Sequence, residues 1–500
     1  MSDTLSPGAD SSAGLGGPVQ VAETHISWLF MIGDRAYKLK KPVTLDVLDF
    51  STRAARAAAC RREVELNRRL APDVYLGVAD VHDVDGALCD HLVVMRRMPD
   101  ARRLSTLVRQ GADLHDALRA LARLIAAFHA GADSSPEISA VGTVDATRAR
   151  WEASFSTLAP FVGSVLDAPL VALVEERVRR YLAGRAALFT DRMTHNKIRD
   201  GHGDLLVDDI YCLDDGPRVL DCIEFDDGLR YGDVLSDVAF LAMDLEHLGA
   251  PDLAAEFLDW YREFADDHYP ASLADHYVAY RAHVRCKVAC LRVAQGDESS
   301  ADEAAALLRL AVKHLERTRV SVALVGGLPG TGKSTLAAGL ADRLGWNVLR
   351  SDEVRKDLAG MGHTTRPDAG YEEGIYSPES TQRAYAEMLR RARVLLERGE
   401  CVLLDASWGS ARLRADAARM AAESSAELHE LRCTAPPETT AHRLDARAAI
   451  DRDASDATRA VAGRMRSEAD LWESATPIDT AATPAAAVAA AIDALGGDST

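Results

Sequence analysis

The sequence predicts two architectures in one chain, α+β over its first part and a parallel α/β sheet in its last part. Three observations carry this. The stretch Val320 to Thr335 reads strand, glycine loop, helix: an apolar β-branched run (Val320 to Val325), then Gly327-Leu-Pro-Gly-Thr-Gly-Lys-Ser334, then apolar residues at helical spacing from Leu336 to Leu344. From about 317 to 494 strand and helix patterns alternate, with strands expected at 320–325, 347–350, 401–405 and 428–433. Before that, a β-rich stretch gives way to a mainly helical one, interrupted by one β-rich island at His202 to Phe225.

In chain order, Met1 to Pro18 is rich in Ser, Gly and Asp, without a basic start or an apolar core; it reads as a disordered tail and not as a signal peptide. Residues 19–100 hold the strands Ser27–Ile32 and Arg35–Lys40 around a Gly33-Asp34 turn, a helix from Ala54 to Leu70, and strands at Val74–Val84 and Ala87–Met95 around Asp85-Gly86. Residues 101–316 are expected to be helical, with Leu114–His129, Leu170–Phe189, Ala254–Ala265 and Ala301–Arg317 as the clearest helices. Residues 317–500 form the α/β part.

The glycine loop states its chemistry through its residue types. Glycines permit positive φ and close backbone approach, so successive N–H groups face phosphate oxygens, and the following helix N-terminus adds positive charge. Gly327, Gly330, Thr331, Gly332, Lys333, Ser334 and Thr335 are the candidate nucleotide contacts, with Lys333 reaching the β and γ phosphates and Ser334 holding Mg²⁺ through its hydroxyl. A nucleoside triphosphate is the implied ligand.

Composition sets bounds. The chain has 500 residues, 47% hydrophobic and 27% charged, an ordinary globular balance. A formal net charge of −19 argues against a broad nucleic-acid footprint. The eight cysteines are scattered without a C-x-x-C, which fits reduced thiols in a cytoplasmic protein. No stretch reaches transmembrane length, so no membrane partner is expected.

The island carries the second chemical signal. Gly201-His-Gly-Asp-Leu-Leu-Val-Asp-Asp-Ile-Tyr211 places Asp204 and Asp209 five residues apart, and Val219-Leu-Asp-Cys-Ile-Glu-Phe225 is expected to be a strand carrying Asp221 and Glu224. So many carboxylates in one stretch repel unless cations neutralise them.

These residues resemble the aminoglycoside phosphotransferase-like branch of the protein-kinase-like superfamily. His202-Gly-Asp204 is similar to its H-G-D loop, and Ile223-Glu-Phe225 with Gly232-Asp233 and Asp237-Val-Ala-Phe240 to its downstream signature. The resemblance implies a two-lobed fold, 19–100 as N-lobe and 101–316 as C-lobe. It implies Asp204 as catalytic base, Asp209 at the metal-binding Asn position and Glu224 at the metal-binding Asp position, with Asp221 as the alternative. Asp233 and Asp237 would be structural. Upstream, Ala36-Tyr-Lys38 resembles the strand-borne A-x-K, which puts Lys38 on the α and β phosphates, Lys40 being the alternative. Glu63 would pair with that lysine, and Val93 to Met98, with Met95, would meet adenine. The family's glycine-rich phosphate loop has no counterpart; Thr24-His-Ile-Ser27 stands in its place.

Beyond the glycine loop the chain resembles small-molecule P-loop kinases. There Asp352, after the second strand, is the candidate base or acceptor ligand, although a helix N-cap would also account for it. Asp405 closes an apolar strand, Cys401 to Asp405, and could hold the Mg²⁺ water shell. Arg443, Arg447 and Arg452 lie in a helix–loop stretch, with Arg447 or Arg452 as the lid arginine. His363 and Gly370–Pro378 read as a substrate loop. The whole resembles bacterial fusions of an aminoglycoside phosphotransferase-like domain with a P-loop kinase-like domain. The resemblance implies an ATP- and Mg²⁺-dependent transfer to hydroxyls of small-molecule acceptors, at two sites. The departures at Asp209 and Glu224 motivate the alternative, a nucleotide-sensing regulator with a pseudokinase first half.

Overall fold

The computed structural model describes residues 19–24, 26–45, 48–363, 374–448 and 459–496. The described residues fall into two compact units: Met1–Glu175, Phe189–Tyr269 and Ala274–Leu315 in the first, and Glu176–Leu188, Pro270–Leu273 and Glu316–Thr500 in the second.

The first unit opens with a five-stranded antiparallel sheet in the order Gln20–Glu23, Ser27–Ile32, Arg35–Lys40, Leu88–Arg96, Tyr75–His82. The two-residue turn at Gly33-Asp34 fixes the register, pairing Ile32 with Arg35 and Leu29 with Lys38. The central strand therefore carries both Lys38 and Lys40 on one face, since side chains two apart share a face. Helix Arg53–Asn67 crosses the sheet; its N-cap Thr52 accepts the Ala55 N–H. Cys60 and Val64 of that helix pack with Ala36, Val93, Met95 and Tyr75 in one buried cluster. Each large apolar side chain buried there contributes about 1.5–3 kcal/mol of transfer free energy.

The helical part follows, with His115–Gly131, Val144–Leu158, Val234–His247 and Pro251–Phe264 among its longer helices. The first of them has Leu118, Leu121, Ala122, Ile125, Ala126 and His129 buried, the i, i+3, i+4, i+7 stripe of an amphipathic helix. An antiparallel sheet with one crossing helix is thus followed by a mainly helical part.

Two expectations give way here. The segment Val219–Phe225 is not a strand. The strand is Gly216–Val219, paired antiparallel with Ile210–Leu213, and it stops because Asp221 turns left-handed at φ 63°. Likewise Leu170–Phe189 is not one helix but two, Ala168–Ala183 and Ala186–Thr194. The break falls at Gly184, where a Cβ would stand 2.2 Å from the Ser424 carbonyl oxygen. Beside it, buried Arg185 donates to the carbonyls of Gly184, Leu396 and Ser424.

The second unit is built on a five-stranded all-parallel sheet in the order Asn347–Arg350, Val402–Asp405, Ser321–Gly326, Glu427–Thr434, Thr476–Asp479. Every residue of Ser321–Gly326 is buried, as a central strand covered on both faces requires. Helix Lys333–Leu344 packs Leu336, Ala337 and Leu340 against Ala323, Val325 and Leu431. The fifth strand goes beyond the four that the sequence predicts; Thr-Pro-Ile-Asp offers one buried residue, Ile478, and no apolar run. No helix among the described residues is long and apolar enough to cross a membrane.

Candidate functional site

In the first unit five ionisable side chains meet between sheet, helix and island. Lys38 Nζ lies 3.0 Å from Glu63 Oε1 and 2.6 Å from Asp221 Oδ1. Lys40 Nζ lies 2.7 Å from Glu63 Oε2 and 2.5 Å from Glu224 Oε1. Glu63 is thus shared, one oxygen to each lysine. Lys40 and Glu63 have no exposed side-chain surface and Glu224 keeps 5%, whereas Lys38 keeps 14% and Asp221 39%. The open end of the cluster is Lys38 with Asp221; the closed end is Lys40 with Glu224.

Burial alone would lower the Lys38 ammonium, but Asp221, Glu63 and Glu224 outweigh it and raise its pKa well above the usual lysine value. Burial likewise opposes ionisation of Asp221, yet Lys38 above all holds it below the carboxylate range. Glu224 goes the other way: burial, partly offset by Lys40, raises it. Asp209 is raised well above its usual value by burial, then by the carboxylates of Asp221 and Asp204. This corner carries more negative charge than its lysines balance.

The island's loop is fastened from one helix. Asp237 accepts the backbone N–H groups of His202 at 2.7 Å and Gly203 at 2.9 Å, and seven residues on, Asp244 accepts that of Val207 at 3.0 Å. Residues seven apart sit on one helix face, so Val234–His247 grips the loop twice. Burial lowers the His202 pKa despite Asp237 and Asp204, so its ring is neutral. Nε2–H then donates to the Leu220 carbonyl at 3.0 Å, and Nδ1 faces the Asp204 N–H at 3.4 Å. Gly203 takes φ 87°, and a Cβ there would come within 3.1 Å of the Leu229 carbonyl. Asp204 itself is half-buried at the end of this loop. Asp233 is a buried partner of Arg192 at 2.6 Å.

Two residues the sequence reading passed over complete the frame. Tyr75 accepts the Asp221 N–H through its hydroxyl at 3.2 Å. Asn67 accepts the Cys222 N–H at 2.9 Å and donates to the Glu63 carbonyl at 2.9 Å. Asn67 lies one turn beyond Glu63 on its helix, which is the signal that could have found it. Met95 is 8% exposed within the sheet–helix core, inside the strand and not in the connection after it. Thr24 closes a tight turn, donating to the Ser27 carbonyl and accepting the Ser27 N–H.

In the second unit Gly327, Gly330 and Gly332 take φ of 138°, 81° and 84°, and the loop leads into helix Lys333–Leu344. Lys333 Nζ folds back to the Leu328 carbonyl at 3.2 Å. Thr331 is buried and donates to the same carbonyl at 2.7 Å, while Ser334 and Thr335 are exposed. Asp405, 5% exposed, ends the neighbouring strand. Arg350 sits between them, its Nη2 3.3 Å from Ser334 Oγ and its Nε 3.3 Å from Asp405 Oδ2. Asp352 falls in the first turn of helix Ser351–Leu358; the N-cap position belongs to Arg350, so Asp352 is not the cap. Arg443 donates to the Thr480 carbonyl at 2.6 Å, and its Nη1 would lie 3.4 Å from a Cβ at Gly332. Arg447 lies on helix Pro437–Ala448. Arg452, with 370–373 of the expected substrate loop, lies outside the described residues. His363 pairs with Asp357 at 2.7 Å.

Among the described residues no three His, Cys, Asp or Glu side chains converge to hold a metal alone. Mg²⁺ does not need such a cage, because it takes one or two carboxylates with phosphate and water. The hard oxygen donors Asp209 with Asp221, and Ser334 with Asp405, fit that requirement.

The family described as an AAA domain matches residues 322–471. The uncharacterized protein Rv2004c of Mycobacterium tuberculosis (strain ATCC 25618 / H37Rv) is 42% identical over 463 residues, covering 93% of this chain and 92% of that one. Among solved structures, a choline/ethanolamine kinase family protein from Mesorhizobium loti matches at 15% identity and TM-score 0.38, covering 61% of this chain and 94% of that chain. The Mycobacterium tuberculosis APS kinase CysC, in complex with AMPPNP and APS, matches at 22% identity and TM-score 0.28, covering 36% and 99%.

Proposed function

This chain belongs to one family with the mycobacterial protein Rv2004c, and for it we propose an ATP-dependent phosphotransferase with two nucleotide sites, each moving a γ-phosphoryl to a hydroxyl of a small-molecule acceptor. The observation that carries the reading is the Lys38–Glu63 pair, with Asp221 2.6 Å from the same lysine. A buried lysine oriented by a helix glutamate, beside a carboxylate on the next element, is what phosphate positioning in kinase-type transfer needs.

In this reading Lys38 is the phosphate lysine and Lys40 is not, because Lys40 has no exposed side-chain surface. For the same reason Asp221, not Glu224, is the metal carboxylate beside Asp209. Asp204 orients the acceptor hydroxyl and takes its proton, while Asp237 keeps the loop in place. In the second unit the loop N–H groups and Lys333 bind the phosphates, and Asp352 serves the acceptor. Ser334 and Asp405 are the metal donors, and Arg447 or Arg452 screens charge on the moving phosphoryl. Held by these residues, Mg²⁺ would supply positive charge to offset that of the phosphates.

The functional divisions follow: 19–100 and 101–316 as the lobes of one site, and 317–500 as the other. A cytoplasmic location suits the chain, all eight cysteines being free thiols. The test is ADP release by Asp204→Asn, Lys333→Ala and the double variant over a panel of hydroxyl acceptors. Two sites give partial loss in each single variant and full loss in the double. Turnover indifferent to Asp204→Asn supports the regulatory reading of the first half. Turnover surviving in the double variant sinks the proposal.

A further inference from the structure

Resting on the reading of the second unit as an ATP site, we infer that Arg350 is a built-in cation that competes with Mg²⁺ for Ser334 and Asp405, and so sets the divalent-ion dependence of nucleotide binding there. Arg350 and Asp405 are cross-strand partners in the parallel sheet, each the last residue of its strand. That register delivers the guanidinium to the one edge where Ser334 also arrives, from the first turn of the helix after the glycine loop. Three of its contacts use three different nitrogens: Nη2 to Ser334 Oγ at 3.3 Å, Nε to Asp405 Oδ2 at 3.3 Å, and Nη1 to Glu353 Oε1 at 3.1 Å. A planar fork of donors engages separate acceptors in this way; a lysine cannot.

A hydroxyl and a buried carboxylate are also what a hard dication takes. Metal and guanidinium compete for them, because a dication drawn to the same hydroxyl and carboxylate repels the guanidinium charge beside it. Displacement does not strand the arginine. Glu353, one turn along its helix and 33% exposed, already holds Nη1 and can keep the released side chain. Without the arginine, Asp405 would be a buried carboxylate short of its cation, a stronger attractor for Mg²⁺.

Calorimetric titration of the full-length protein with ATP, over a series of Mg²⁺ concentrations, tests this. The second unit's share is the binding that Lys333→Ala removes. In Arg350→Gln the Mg²⁺ concentration at half-maximal binding is expected to fall about tenfold, in the range of ordinary coupling between two ligands of one site. In EDTA, ATP affinity is expected to drop below wild type, because no cation then screens Asp405 from the triphosphate. Arg350→Lys, which keeps the charge but not the fork, is expected to fall between, and serves as the test should the glutamine variant misfold. An unchanged Mg²⁺ midpoint in the folded variants overturns the inference while leaving the ATP site standing. If Lys333→Ala removes no binding from the wild-type protein, the ATP site itself fails, and the inference with it.

Discussion

Lys38 and Asp221, 183 residues apart in sequence, meet at 2.6 Å, and they do so because Asp221 adopts a left-handed backbone at φ 63°. Asn tolerates that conformation nearly as well as Asp, and β-branched residues do not. Asp221→Asn should therefore keep the fold and lose the charge. Measured in a Lys333→Ala background, ADP release should fall by about a hundredfold or more, with the melting temperature little changed. Asp221→Val should unfold more readily as well.

Lys40 is the structural half of the lysine pair. Removing it leaves Glu63 and Glu224 buried and uncompensated, so Lys40→Met should cost about 3–5 kcal/mol in urea unfolding. Lys40→Met with Glu224→Gln should recover part of that loss, because the two changes share a contact. A loss no greater than that of a surface lysine would contradict the assignment.

Gly330 sets a limit on the glycine loop. Its φ is 81°, and a Cβ would stand 2.8 Å from the Thr440 carbonyl oxygen. Gly330→Ala should cost about 1–3 kcal/mol, read from urea unfolding, and should weaken the ATP binding that depends on Lys333.

A pH effect is built into the first unit at His314. His314 places Nδ1 2.6 Å from Asp275 and Nε2 2.8 Å from Glu246, which also receives Lys313. Burial opposes the charged ring, but the two carboxylates outweigh it and raise the His314 pKa above 6.5. A raised histidine stabilises the folded state fully below its unfolded value, and that contribution fades as pH rises through the folded value. Glu246 is held down to about 2, against burial, chiefly by His314 and Lys313. Its contribution is present above its unfolded value near 4.5 and fades as pH falls toward 2. Urea midpoints should therefore decline from pH 6 to pH 9, and His314→Gln should flatten that decline.

Much of this was legible locally. The Ser27–Ile32 and Arg35–Lys40 hairpin follows from alternation and a Gly-Asp turn, and the glycine loop from its spacing. Illegible were the features decided by distant partners. The left-handed turn at Asp221 depends on Tyr75 and Lys38, and the break at Gly184 on the Ser424 carbonyl. Arg350 reads in sequence as a polar residue closing a strand, yet its partners Ser334 and Asp405 lie 16 and 55 residues away. In sequence the two lysines stand as alternatives, because strand parity shows the shared face but not the depth of each ammonium.

The forked carboxylate of Glu63 also constrains descent. With one oxygen committed to each lysine, neither Lys40 nor Glu224 can drift alone without stranding a buried charge. A lineage that replaces one should be found to have replaced the other, so these two positions should covary among relatives, while the exposed residues around them change independently.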